Sequence, residues 1–312
     1  MKKLLVLALV CLAIISCKKE DDDDNGNNVS NPCSSDSLYT CIPDQNFEQA
    51  LIDLGYDHVI DGQLLTANIS VVDSLLLFWT NISDLTGIED FTALTYLDCK
   101  NNQLTSLDVS NNTALTWLNC LQNQLISLNL SGCSALTEMN CWGNQLTSLD
   151  LSNNTALTHL YCGYNQLTNL DVSQNTALKH LACGNNQLTS LNLSGCSALT
   201  SLYSDNNQLT SLAITGCDSL RGLECQFNQL ISLDLSQNTA LTNFYCYGNQ
   251  LTCLNIKNGN NINTNHNGLL ASQNPNLTCI EVDDPAWSTQ NWIYIDSGVT
   301  FSTNCNYPAG CF

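Results

Sequence analysis

The chain of 312 residues carries few charges, with 8 lysines and arginines against 28 aspartates and glutamates and a formal net charge of −20. These make up 12% of the sequence, about half the roughly 25% of a typical soluble domain. Nucleic acid, heparin-like polymers and anionic membrane faces all need clustered lysine and arginine, so the composition excludes them as partners. The 18 cysteines indicate either an oxidising compartment or a repeated core position.

The N-terminus has the pattern of a secretion signal. Lys2 and Lys3 precede the apolar stretch Leu4–Ile15, which is too short to span a bilayer as a helix. The segment Ile14–Cys17 resembles a bacterial lipobox. This resemblance implies that residues 1–16 form a lipoprotein signal peptide and that Cys17 is lipidated.

An acidic run follows the lipobox. The segment Lys18–Asp24 resembles the export tag of Bacteroidota-type lipoproteins that are exposed at the cell surface, whereas the alternative is a solvated linker of like charges. The resemblance implies an outer-membrane protein that contacts the membrane only through its lipid anchor. Residues 17–31 are polar and aperiodic, which predicts a flexible tether.

Residues 32–71 are predicted to form an N-terminal cap. Within them, Asp44 can cap a short helix that ends at Gly55. Cys33 and Cys41 lie eight residues apart and could form a disulfide. A cap is expected because the first turn of a repeat array would otherwise expose its core.

The central part of the chain repeats every 21 residues from Leu94 onward. The first positions of the eight units are Leu94, Leu115, Leu136, Leu157, Leu178, Leu199, Leu220 and Leu241. The unit Leu94–Ala114 contains the pattern LxxLxLxxN/C twice, and this resembles the nested bacterial form of the leucine-rich-repeat family. The preceding 22-residue segment, Val72–Ala93, resembles an internalin-type repeat.

The resemblance implies a leucine-rich-repeat solenoid over residues 72–282, mainly parallel β with short or no helices. Leucines at positions one, four, eleven and fourteen of each unit are expected to point inward. Nine turns would give a rod about 40 Å long. The asparagine at position nine of every unit is expected to satisfy backbone groups at the turn, and residues 283–312 are predicted to form a C-terminal cap.

The register of the repeat explains most cysteines. Position six is cysteine in seven of the eight units, which predicts buried thiols that act as small hydrophobic groups. Cys253 and Cys279 fall instead at position thirteen, which is expected to face outward. A disulfide between these two is the hypothesis, with Cys305 and Cys311 as competing partners.

Four positions of the unit vary freely, namely three, five, seven and eight. They hold nine of the ten aromatic residues between Leu94 and Asn261. Alternate residues of a strand share one side, so these side chains should project together from the surface opposite the core. The candidate ligand-binding residues are Tyr96, Trp117, Trp142, His159, Tyr161, Tyr164, His180, Tyr203, Phe227, Tyr245 and Tyr247.

The sequence predicts a binding protein and no enzyme. It contains no nucleophile elbow, phosphate-binding glycine loop or paired-carboxylate motif. His159 and His180 lie on adjacent units, but two histidines without a third ligand do not predict a metal site, and no cofactor is implied. We therefore expect a lipid-anchored adhesion protein that binds a protein or glycan, the alternative being a passive envelope spacer or an accessory subunit of an outer-membrane complex.

Overall fold

A computed structural model describes residues 38–264 and 268–312, which belong to one compact unit. The predicted signal peptide 1–16, the lipidation site Cys17, the tether 17–31 and Cys33 lie outside the described residues. Within the described ranges, no helix has the length and apolar character needed to cross a bilayer.

The N-terminal region combines a helix with a small two-stranded antiparallel sheet. Helix α1, Gln45–Asp53, begins where the carboxylate of Asp44 accepts hydrogen bonds from the backbone of Asn46 and Phe47, so the predicted helix is confirmed. The strands Tyr39–Cys41 and Gln63–Leu65 pair antiparallel, and α2, Thr66–Ile69, follows directly. This pair of strands was not predicted, because each strand has only three residues.

Asp44 also joins this region to the first turn of the solenoid. Its second carboxylate oxygen accepts hydrogen bonds from the backbone and hydroxyl of Ser83 and from the backbone of Asp84, at 2.7–3.0 Å. Burial raises the pKa of Asp44, but the hydrogen bonds from Ser83, Phe47 and Asp84 outweigh it and lower the pKa from its ordinary value. One carboxylate therefore caps α1 and holds the cap against the repeats.

The repeats form a parallel β-solenoid, and one side of it is a single ten-stranded sheet. Each strand covers positions three to five of its unit and pairs in register with the strands of the neighbouring units. The strands of this sheet are Ser74–Leu76, Tyr96–Asp98, Trp117–Asn119, Glu138–Asn140, His159–Tyr161, His180–Ala182, Ser201–Tyr203, Gly222–Glu224, Asn243–Tyr245 and Leu269–Leu270.

The opposite side carries shorter groups of strands at positions thirteen to fifteen. They are Ser106–Asp108 with Ser127–Asn129, Asn169–Asp171 with Ser190–Asn192, and the series Ser232–Asp234, Cys253–Asn255, Cys279–Glu281 and Thr300–Ser302. The mainly β architecture and the inward leucines are confirmed, because one continuous cluster of buried leucine, cysteine and isoleucine fills the space between the two sides.

The asparagines at position nine have the predicted structural role. The side-chain nitrogen of Asn165, for example, donates to the carbonyls of Cys141 and Cys162, and its oxygen accepts the backbone N–H of Leu146. The same pattern repeats from unit to unit. These amides replace backbone hydrogen bonds where the chain leaves the strand.

The expectation of nine turns is wrong. The sheet has ten strands, and Tyr294 extends it by a parallel bridge to Leu270. Phe244 pairs with Leu269, which is 25 positions later, whereas Leu223 and Phe244 are 21 apart. Because four extra residues interrupt the strict period here, counting by 21 misses the following turns.

The C-terminal segment 283–312 contributes regular structure to the end of the solenoid. Helix α3, Pro285–Asn291, is followed by the strand Thr300–Ser302, which pairs in parallel with Cys279–Glu281. Trp292 is 1% exposed and packs edge-on against Phe244. The segment therefore covers the core of the last repeats and also adds a strand to the second side.

The proposed Cys253–Cys279 disulfide is wrong. Cys253 bonds to Cys311, and Cys279 bonds to Cys305, the two competing partners. Cys253 is also 1% exposed, because the C-terminal segment covers a position that faces outward elsewhere. Cys41 is disulfide-bonded as well.

The thiols at position six form the predicted buried stack. Among the described residues, ten cysteines are free and all are buried. Burial raises the pKa of Cys141, Cys183 and Cys246 to about 12. Their surroundings keep these thiols protonated, so they fill space as small apolar side chains.

Candidate binding face

The ten-stranded sheet displays the predicted residues on one surface, which we call the strand face and define by positions three, five, seven and eight of each unit. In-register pairing places Tyr96, Trp117, His159 and His180 in the row of position three. Tyr161, Tyr203 and Tyr245 lie in the row of position five. Trp142, Tyr247, Tyr164 and Phe227 follow at positions seven and eight of their units.

Stacked rings cover part of each other at the N-terminal end of the face. The rings of Tyr96 and Trp117 are 4.0 Å apart and nearly parallel, at 3°. Burial and the nearby Asp98 raise the pKa of Tyr96. Asp98 itself forms an ion pair with Lys100 at 3.0 Å. At this end of the face, the rings of Tyr96 and Trp117 contact each other and the charges of Asp98 and Lys100 neutralise each other.

A histidine pair occupies the middle of the row at position three. The imidazole rings of His159 and His180 are stacked 4.7 Å apart. His159 Nδ1 lies 2.9 Å from the hydroxyl of Thr158 and 3.8 Å from a carboxylate oxygen of Glu138. Burial, together with the charges of His159 and Lys179, lowers the pKa of His180. The arrangement favours the neutral form of His180.

Glycines leave room for two aromatic pairs at positions seven and eight. Trp142 and Tyr164 have ring centres 4.5 Å apart. A Cβ atom at Gly163 would lie 3.0 Å from Trp142 Cδ1, so the missing side chain lets the indole lie flat on the backbone. Phe227 and Tyr247 form a second pair, with ring centres 5.0 Å apart.

The backbone at position eight is left-handed, a feature that the repeat pattern did not predict. The φ angle is 51° at Tyr164 and 55° at Phe227. Glycine or asparagine occupies this conformation at less cost than other residues, and such residues stand at position eight of several units, including Asn101 and Gly143. The two aromatic rings are therefore held at positions that disfavour them, and their side chains are 52% and 44% exposed.

An open groove of about 460 Å³ lies at the C-terminal end of the face. It is lined by Tyr245, Tyr247, Leu270, Ser272, Gln273 and Tyr294. Only the first two were predicted. The others follow the four-residue insertion, so they could have been found by aligning Leu269–Leu270 with the strand positions rather than by counting in steps of 21.

The comparisons agree with this architecture. Residues 72–175 match the family described as the leucine-rich-repeat domain of endo-β-N-acetylglucosaminidase EndoS. Among solved structures, the chain is similar to the functional domain of InlJ from Listeria monocytogenes, which is said to include a cysteine ladder. The two are 28% identical, with a TM-score of 0.56 over 78% of this chain. This chain has a leucine-rich-repeat fold.

Other leucine-rich-repeat structures share the fold. Internalin C2 from Listeria monocytogenes is 23% identical, with a TM-score of 0.57 over 68% of this chain and 99% of that one. The ectodomain of the receptor kinase GASSHO1/SCHENGEN3 from Arabidopsis thaliana is 22% identical, with a TM-score of 0.58 over 75% of this chain and 32% of that one. The match to InlJ spans 66% of that chain, slightly less than two thirds. No curated protein matches this sequence.

Proposed function

We propose that this leucine-rich-repeat protein binds a protein partner through the strand face, and that binding rather than catalysis is its activity. The observation that carries the proposal is the placement of the aromatic residues. Nine of the ten aromatics of the array lie at the four variable positions, and the in-register strands bring those positions onto one surface.

The physical properties of the face support this proposal. Tyr161, Tyr164, Tyr203 and Phe227 are each more than a third exposed. Tyrosine and tryptophan offer a large contact area and lose little rotamer entropy on binding, and they are enriched among the residues that dominate interface energies. The inward leucines and asparagines hold the strands rigidly, so these rings need little reorganisation before a partner binds.

The solved relatives favour a protein as the partner. The GASSHO1/SCHENGEN3 ectodomain has this fold and is in complex with Casparian strip integrity factor 2. A glycan remains the principal competing ligand class, because tyrosine and tryptophan beside asparagine also suit sugars. A passive spacer is the competing function without a ligand.

The location of the protein is part of the proposal. The lipobox-like Ile14–Cys17 and the acidic run Lys18–Asp24 support a lipid anchor at Cys17 that places the solenoid at the surface of an outer membrane. Mass spectrometry of the mature N-terminus tests the anchor. A mature chain that begins at Cys17 with bound acyl chains is expected, and an acyl-free Cys17 would contradict it.

The binding proposal can be tested with a variant of the strand face. Trp117, Trp142, Tyr161 and Tyr203 are changed together to serine. A matched control changes Ile126 and Ile231, which are 64% and 54% exposed and lie outside the strand face, to serine. Circular dichroism first establishes that both variants keep the β-solenoid.

Partner capture is then measured with the immobilised fragment from Cys33 onward, by chemical cross-linking and mass spectrometry, and in parallel on a glycan array. We expect that the parent chain and the control altered at Ile126 and Ile231 capture the same proteins. The strand-face variant should not capture them. Equal capture by all three chains would refute the role of the face. Capture of glycans alone would show that the partner is not a protein, and no capture in either arm would support the spacer.

A further inference from the structure

The C-terminal groove lies next to acidic side chains that have no cationic partner. Tyr203, Glu224 and Tyr245 are direct neighbours in the row of position five. Glu224 thus stands between two tyrosines, and Tyr245 also lines the groove. Asp205 and Gln226 lie two residues beyond Tyr203 and Glu224, at position seven.

The side-chain donors that the structure gives these carboxylates are neutral amides. Asn185 Nδ2 and Asn206 Nδ2 donate to Asp205 Oδ2 at 3.3 and 2.7 Å. Gln226 Nε2 donates to Glu224 Oε2 at 3.3 Å. Gln226 is 7% exposed, and its Oε1 has no hydrogen-bond partner among the residues that the structure describes. Burial raises the pKa of Glu224, the hydrogen bond from Gln226 opposes this shift, and the nearby Asp205 adds to it.

Basic residues of the chain leave this charge uncompensated. In the described ranges, the ion pairs join Lys100 to Asp98 and His159 to Glu138, both in other units. Arg221 precedes Glu224 by three residues but forms no ion pair with it. Between Leu94 and Asn261 the sequence has nine acidic and four basic residues, so the whole array favours a cationic ligand.

We propose that the groove binds the side chain of a lysine or arginine on the protein partner. The inference rests on the proposed function and names what the partner presents at this end of the face. The cationic head would approach the carboxylate of Glu224, which pairs in register with the groove residue Tyr245. Its aliphatic stem would pack on Tyr245 and Leu270, which line the groove. The tyrosine rings attract a cation through their electron-rich faces.

A sugar is a poorer fit to the same geometry. Its hydroxyl groups can donate hydrogen bonds to Glu224, but they supply no positive charge to the neighbouring carboxylates of Glu224 and Asp205. A guanidinium or ammonium group supplies both donors and charge. Charge complementarity therefore selects the basic side chain.

The test uses the full chain and small probes observed by saturation-transfer NMR. The probes are the Nα-acetyl, N′-methyl amides of lysine and arginine, with the norleucine derivative as a neutral probe of similar stem and diacetylchitobiose as a sugar. We expect the basic probes to bind about tenfold more tightly than norleucine and to weaken as the ionic strength is raised.

Two substitutions in the groove and one outside it sharpen the test. Glu224→Gln and Tyr294→Ser should each reduce binding of the basic probes several-fold. Asp218→Asn, which removes an exposed carboxylate outside the strand face, is the matched control and should leave binding unchanged. Equal binding of norleucine, unchanged binding by Glu224→Gln, or binding of diacetylchitobiose alone would each overturn the inference.

The two proposals fail separately. If the partner is captured through Trp117, Trp142, Tyr161 and Tyr203 but the basic probes do not bind, only the inference about the groove is wrong. If the basic probes bind and no protein is captured, the groove is real and the proposed function is wrong.

Discussion

Replacing one asparagine of the buried ladder tests how the solenoid is held together. Asn165 is 8% exposed and lies near the centre of the array. Its amide nitrogen donates to the carbonyls of Cys141 at 3.0 Å and Cys162 at 3.2 Å, and its oxygen accepts the N–H of Leu146 at 3.0 Å. The nitrogen also donates to the carbonyl of Gly163 at 3.2 Å. We predict that Asn165→Ala is strongly destabilising, because it removes all four bonds.

The size of the stability loss depends on which backbone groups keep another hydrogen-bond partner. The carbonyls of Cys141 and Cys162 each keep another side-chain amide as donor. Asn144 still donates to Cys141 at 3.0 Å, and Asn186 still donates to Cys162 at 3.1 Å. The N–H of Leu146 keeps no acceptor among the described residues, because the one it has there is the removed oxygen. The carbonyl of Gly163 keeps the backbone N–H of Gly143 at 3.0 Å. One orphaned buried donor and three lost bonds to carbonyls give a loss of about 2–5 kcal/mol in the free energy of unfolding.

The measurement is urea unfolding followed by circular dichroism, with hydrogen exchange of the Leu146 amide as a local probe. Gln166→Ala is the matched control, because this neighbouring side chain is exposed and forms no described bond of its own. The control should change stability by less than about 0.5 kcal/mol. A loss below about 1 kcal/mol for Asn165→Ala, with Leu146 still protected from exchange, would refute the role given to the ladder.

Three further predictions concern the cap, the strand face and the core. Hydrogen bonds lower the pKa of Asp44 below its ordinary value of 3.8. The stability that its carboxylate adds is therefore present above that pH and is lost as the pH falls through the folded-state pKa. Asp44→Asn should be less stable at neutral pH and lose less stability in acid titrations, and an unchanged acid profile would contradict this. Trp79 is 72% exposed with φ 62°, so Trp79→Asn should raise the free energy of unfolding by about 0.5 kcal/mol in thermal unfolding, and a loss would argue against backbone strain there. The buried thiol of Cys141, whose pKa burial raises to about 12, should react with Ellman's reagent only after denaturation, whereas rapid labelling of the native protein would show an open core.

Most of the fold could be predicted from the sequence because one unit is repeated many times. Every unit has the same pattern of buried positions, so a single period defines the leucine core, the thiol stack and the asparagine ladder. The N-cap at Asp44 was also recognisable, since its chemistry is local. These features depend on residues close in sequence or one period apart.

The features that were missed depend on departures from the period. The four extra residues before Leu269 shift Asn274 out of the 21-residue count, so it was not predicted. Its side-chain nitrogen nevertheless donates to the carbonyls of Cys246 and Ala271, as in the earlier asparagines of the ladder. They also hide Tyr294, which reaches the groove from a later turn. The disulfide partners were open for a similar reason, because Cys253 and Cys311 are 58 residues apart and no repeat relates them.

The repeat also separates the residues that hold the fold from those that can bind. Inward positions are nearly constant from unit to unit, so the strand face can change its side chains without altering the core. Position eight is the exception, because its left-handed backbone disfavours residues other than glycine and asparagine. Tyr164 and Phe227 occupy it at a cost in stability that the core does not require. Trp79 has the same left-handed backbone at position eight of the turn that begins at Val72. These three exposed aromatics are therefore the hardest to explain by packing alone, and their presence argues for contact with a partner.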